Sequence, residues 1–171
     1  MIGFLQKGLL FFVLLVVQVF FIDQLDIGQA NFFIAPLIYG LVIISLPPSL
    51  EIWLLMVLAL IMGLSIDLFR NTIGLNMSSL VMVAFLKNPL LNTIFSKDGY
   101  DPLKELNFTT IGWSNFLFFS LVMLFIHHFW FYIIEDFHFN RLHVLLLKAL
   151  INALISVGFF ILVHLITIKR K

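Results

Sequence analysis

The chain has 171 residues, 62% of them hydrophobic and only 11% charged, so it lacks the polar groups needed to cover a water-facing surface. The solvent that suits it is a bilayer, and a formal net charge of +1 supplies no bulk attraction to nucleic acid. The absence of cysteine removes disulfides, thiol catalysis and cysteine metal sites.

Lys7 and the apolar run Gly8 to Ile22 resemble the start of a secretory signal, but Asp23-Gln24-Leu25-Asp26 lacks a small-residue cleavage pattern, which predicts a retained first helix. Six apolar segments follow one another over residues 4–22, 32–46, 50–68, 73–95, 111–134 and 142–168. Each approaches the roughly 20 residues needed to cross a hydrocarbon layer of about 30 Å. The expectation is an all-α, polytopic integral membrane protein, a single transmembrane domain over 1–171 with six transmembrane helices. The second segment is the shortest, limited by Pro36 near its start and Pro47-Pro48 at its end. Leu68 to Thr72 is too short for anything but a tight hairpin between antiparallel neighbours.

Ser96 to Thr110 is the long connection. Within it Asp101-Pro102 looks like a helix start, with Asp as N-cap and with Leu103 and Leu106 on one face, which allows a short amphipathic helix; the favoured reading is an ordinary solvated loop with Lys87, Lys97 and Lys104 as topology determinants, and a docking surface for a cytoplasmic partner is the alternative. Cytoplasmic loops retain Lys and Arg. An inside N-terminus places Lys7, Lys87, Lys97, Lys104 and Lys169-Arg170-Lys171 within, and Arg70 and Arg141 without, so both termini are expected to be cytoplasmic.

Polar groups inside the spans need partners, since a charge at a helix centre costs about 2.5–3.5 kcal/mol on insertion scales. Lys148 lies about 9 Å inside the sixth segment, and His127 and His128 roughly 10–12 Å inside the fifth, at about 1.5 Å per residue. With Gln18, Asp67 and Asn76 they fall in the outer half of the bundle, where they can meet as a polar cluster. Three roles are open to that cluster: interhelical hydrogen bonds that fix packing, a surface for another protein's membrane helix, or a small-molecule site. Adjacent histidines point about 100° apart on a helix and do not chelate one ion together. His127 shares a face with Phe131 and Glu135, and His128 with Tyr132 and Asp136. Lys148, Asn152 and Ser156 form a stripe that reads as a packing seam. No metal-ligand spacing, nucleophile motif or phosphate-binding glycine loop is present, so neither an enzyme nor a cofactor is expected.

The run Gly63-Leu64-Ser65-Ile66-Asp67-Leu68-Phe69-Arg70-Asn71-Thr72-Ile73-Gly74-Leu75-Asn76 resembles the Gly-Leu-x-x-Asp-Leu-Phe-x-Asn-Thr-x-Gly-x-x pattern of the rod shape-determining MreD family in its Bacteroidetes-like form. Asn31 to Tyr39, Leu46-Pro47-Pro48, Lys97-Asp98-Gly99-Tyr100, His127-His128 and Glu135-x-Phe137 resemble further stretches of that family in the same order. The resemblance implies a non-enzymatic scaffold of the cell-elongation complex in the bacterial inner membrane, which helps to control cell shape and lateral peptidoglycan synthesis. It implies association with an MreC-like membrane-anchored protein, and through it with MreB-like filaments and the RodA and penicillin-binding-protein synthases; it leaves homodimerisation open. Residue by residue it carries over only Gly63, Asp67, Asn71 and Gly74, in a structural role; Arg70, Asn76, His127, His128, Glu135 and Lys148 stand beside them as structural or partner-contacting candidates. Gly63 would permit close helix approach, Gly74 would open the fourth helix, and Asp67 would cap that helix or bond Arg70 or Thr72. The family is distantly similar to the ligand-binding S-components of energy-coupling-factor transporters, whose fold this chain would share. A substrate-binding transporter subunit is thus the alternative function. The small-xxx-small pattern by which many S-components grip their partner is missing from Phe11 to Gln18.

Overall fold

A computed structural model describes residues 2–23, 36–72, 74–95, 100–137 and 141–168, with side chains from residue 8 to residue 162. All regular structure among them is helical: α1 (Ile2–Val17), continued by a π-helical turn (Gln18–Ile22), α2 (Gly40–Ser45), α3 (Ile52–Arg70), α4 (Leu75–Ile94), α5 (Trp113–Asp136) and α6 (Leu142–Ile168). Among the described residues four helices are long and apolar enough to cross a membrane, namely α3, α4, α5 and the Leu142–Leu162 part of α6; Gly8–Ile22 is a shorter apolar helix. This is the pattern of a multi-pass membrane protein.

Burial runs as a bilayer demands. Trp53, Val57, Leu60, Ile61, Leu64 and Leu68 are exposed along α3, as are Leu146, Leu147, Leu150 and Leu154 along α6. The interior holds Gln18, Asp67, Asn76, Lys87, His127, His128, Asn152 and Ser156. Apolar side chains face outward because lipid tails accept them; polar ones turn inward to each other.

The α3–α4 pair is the tightest contact and explains two glycines. A Cβ on Gly63 would overlap Met77 Cα and lie 2.8 Å from Met77 N and 2.9 Å from Asn76 O. Only the missing side chain lets α4 come so near. The turn ends α3 with Asn71 at φ 58° and begins α4 with Gly74 at φ 91°, both left-handed. Asn tolerates that region and Gly occupies it without steric cost.

The structure corrects three expectations. The second segment is not a helix over 32–46: among its described residues, 36–39 are non-helical and only Gly40–Ser45 is α-helix. Pro36 withholds a backbone donor, and side chains of other helices engage the backbone of residues 36–38, as described below. Lys87 is not a loop charge but fully buried within α4, its ammonium donating to the Leu46 carbonyl just past α2. The 100–112 connection forms turns instead of an amphipathic helix, with Leu106 buried and Leu103 77% exposed, so the two leucines do not share a face. The Asp101 carboxylate, which was to cap a helix, accepts the Leu103 N–H at 3.0 Å in a local turn, and the loop folds back on α2 through Leu106 N to Ser45 O at 3.0 Å.

Gly63→Ala should lower stability in detergent by about 1–3 kcal/mol, the usual cost of overpacking against backbone. Gly158→Ala, where nothing lies within 4 Å, should not. Thermal unfolding of both variants checks the pair. In the loop, the Leu103 N–H and then Lys104 hold Asp101 below the usual carboxylate range. A depressed folded value means the turn's stabilisation is fully present above the ordinary aspartate value and is lost as pH falls through the depressed one. The Leu103 amide resonance should therefore titrate with a midpoint below that of a free aspartate; a midpoint at or above it would contradict the turn.

Candidate polar site at the Asp67 end

Asp67 closes the α3–α4 hairpin. Its Oδ2 accepts the backbone N–H groups of Gly74 at 3.1 Å and Met77 at 3.0 Å, and its Oδ1 accepts Asn76 N at 3.0 Å, Thr72 Oγ1 at 2.9 Å and Asn76 Nδ2 at 2.8 Å. The carboxylate thus caps α4 from the preceding helix, where the first N–H groups have no partner within their own helix and the dipole favours negative charge. Of the alternatives open in the sequence, it takes the cap and Thr72. Arg70 turns instead to Asp23 at 3.1 Å, to Asn76 Oδ1 at 3.3 Å and to the face of Phe131.

Asn76 is the hub. Its Nδ2 donates to Asp67 and to Thr72 at 2.8 Å, and its Oδ1 accepts from Arg70 and from the Tyr39 hydroxyl at 2.5 Å, so all four hydrogen-bonding positions of the amide are filled. Because the Tyr39 hydroxyl spends its proton on Asn76, its 3.4 Å contact with His127 Nε2 requires that nitrogen to be the donor. The same logic fixes His128. Ser156 donates to Asn152 O at 2.8 Å and accepts Leu37 N at 3.1 Å, so His128 Nε2 at 3.2 Å must donate to it. Both imidazoles are then Nε2–H tautomers whose Nδ1 atoms are buried without a partner.

The rest of the predicted set falls around this layer. Lys148 extends to Glu135 at 3.9 Å and lies 4.0 Å above the Tyr132 ring, which stacks on His128 with centroids 6.0 Å apart. Gln18 sits in the π-helical turn, donating to Asp23 at 2.8 Å and Pro36 O at 3.1 Å while accepting Ile38 N at 3.0 Å. The structure therefore brings Asp67, Arg70, Asn76 and His127 into one hydrogen-bonded group joined through Tyr39. His128 lies beside it, and Lys148 and Glu135 flank it. Gly63, Asn71 and Gly74 act through backbone geometry. Sequence reasoning named Thr72 as a partner open to Asp67 but missed Tyr39 and Asp23 as members. A hydroxyl in an apolar segment, as at Tyr39, was the available signal, since a buried Tyr O–H usually finds a partner.

Chemically the layer offers hydrogen bonds and ion pairs already committed to each other. Among the described residues no group of three or more His, Asp and Glu could hold a metal ion. No protein-family model, curated protein or solved structure matches the chain.

Asp67→Asn exchanges one acceptor oxygen for a donor facing N–H groups, and should cost about 2–4 kcal/mol as charge-assisted bonds are lost and donors are left unpaired. Denaturant unfolding in detergent measures it. For the histidines, 15N NMR should show both rings protonated at Nε2; an Nδ1–H signal from either would break the assignment.

Proposed function

We propose that this chain is a non-enzymatic scaffold in the bacterial inner membrane, an MreD-like component of the cell-elongation complex that receives the membrane helix of an MreC-like partner. The observation that carries the reading is the use to which the family-like hairpin is put. Gly63 permits backbone contact, Asn71 and Gly74 make the turn, and Asp67, Arg70 and Asn76 bond one another or α4. These are the parts of a rigid docking body, and a scaffold contributes placement, not chemistry. In this reading the chain crosses six times, counting α1 with its π turn and the 36–48 stretch as spans. Both termini are then cytoplasmic, at the end that carries Lys87 and Lys104. MreB-like filaments and the RodA and penicillin-binding-protein synthases would be reached through the partner, and the surrounding lipids would cover the apolar exterior.

One observation favours a second reading, a substrate-binding subunit with the S-component fold. The Nδ1 atoms of His127 and His128 are buried and unpaired in the layer where such a protein would hold a ligand.

Mild-detergent purification of the tagged chain from its native membrane, with mass spectrometry of what accompanies it, separates the two. The scaffold reading expects an MreC-like protein together with cell-wall synthases. An ATPase pair with a coupling membrane protein would overturn it in favour of the transporter subunit.

A further inference from the structure

The short helix α2 is held in place by other elements at both of its ends. Before it, Leu37 N donates to Ser156 Oγ of α6 at 3.1 Å and Ile38 N to Gln18 Oε1 at 3.0 Å, while Gln18 Nε2 reaches Pro36 O at 3.1 Å. Tyr39 is tied to Asn76 of α4 and faces His127 of α5. After it, Lys87 of α4 caps the Leu46 carbonyl, and Leu106 N of the 100–112 loop donates to Ser45 O at 3.0 Å. The same loop receives Ser49 N at Pro102 O, 2.9 Å away. Every residue from Pro36 to Leu46 is buried.

Six residues make fewer than two helical turns, too few to hold a helix together unaided. The position of α2 is therefore set by its neighbours, through the packing of its buried side chains and through the hydrogen bonds at its two ends. Non-helical backbone at membrane depth is stable only where protein satisfies it, and here that duty falls on single side chains, Gln18 and Ser156. Two anchors at the first end, Gln18 and Tyr39, are themselves linked to the surface of the Asp67 end: Gln18 bonds Asp23, which pairs with Arg70, and Arg70 bonds Asn76, the partner of Tyr39. Interiors packed in this way shift between discrete arrangements instead of deforming continuously.

We propose that α2 is a coupling rod between the two ends of the bundle. Gln18 and Ser156 set its position at the Asp67 end, and the 100–112 loop registers that position at the Lys87 end. A partner that draws Arg70 or Asp23 away at one end thereby changes the loop surface presented at the other. This goes beyond the scaffold reading and holds whichever partner the bundle receives.

The test is amide hydrogen exchange on the full chain in lipid nanodiscs, comparing the native sequence with Gln18→Leu and Ser156→Ala. The expected result is exchange at Ser49 and Leu106 faster by roughly 3- to 30-fold, the equilibrium factor for one hydrogen bond of the strength found between membrane helices, with Ala59 in the middle of α3 unchanged. Coupling is reciprocal. Lys87→Met should accordingly speed exchange at Leu37 and Ile38. Acceleration confined to residues 36–39 in the first two variants would overturn the proposal, because the rod would then transmit nothing. Equal acceleration at Ala59 would overturn it as well, by showing general loosening in place of coupling.

Discussion

A polar group inside an apolar bundle has no water to fall back on, and that constraint organises everything else here. The Asp67 carboxylate answers it most completely. Five hydrogen bonds converge on its two oxygens from Thr72, Gly74, Asn76 and Met77, so one side chain ties the turn to α3, caps α4 and fixes how α3 and α4 meet. The close approach at Gly63 places Met77 and Asn76 against α3, and Asn76 in turn carries the network to Tyr39 and Arg70. Removing the carboxylate would strand donors rather than merely delete an attraction.

The same constraint explains how residues 36–39, ahead of α2, can stay non-helical. In water a non-helical stretch is solvated; at membrane depth it must be satisfied by neighbours, and Gln18 and Ser156 do this for Pro36, Leu37 and Ile38. The π-helical turn at Gln18–Ile22 belongs to the same arrangement: it begins at the residue that binds the Pro36–Ile38 backbone and ends beside Asp23, the partner of Arg70. Lys87 solves the corresponding problem at the other end, where its ammonium supplies a donor to the Leu46 carbonyl that follows α2. A charge that reads as a topology signal thus serves also as a cap.

The functional reading follows from how fully the polar layer is committed. Asn76 uses all four of its positions, Ser156 uses its donor and both acceptor directions, and Lys148 divides itself between Glu135 and the Tyr132 ring. Groups occupied in this way define a shape, which suits a body that other membrane proteins dock against. The two unpaired Nδ1 atoms keep a ligand-binding reading in view.

The sequence by itself determined the helical membrane class, because composition and apolar run length decide which solvent a chain can live in, and it determined the α3–α4 hairpin, because Gly63, Asp67, Asn71, Gly74 and Asn76 act within fourteen residues of one another. It also placed His127, His128, Lys148, Asp67 and Gln18 at a similar depth, since rise per residue is fixed in a helix. Only the tertiary structure decided who bonds whom. Tyr39 meets Asn76 across 37 positions, Leu37 meets Ser156 across 119, and Lys87 meets Leu46 across 41. Such pairs leave no local periodicity, and the unwinding at Pro36–Tyr39 is stable only because those distant side chains arrive to hold it.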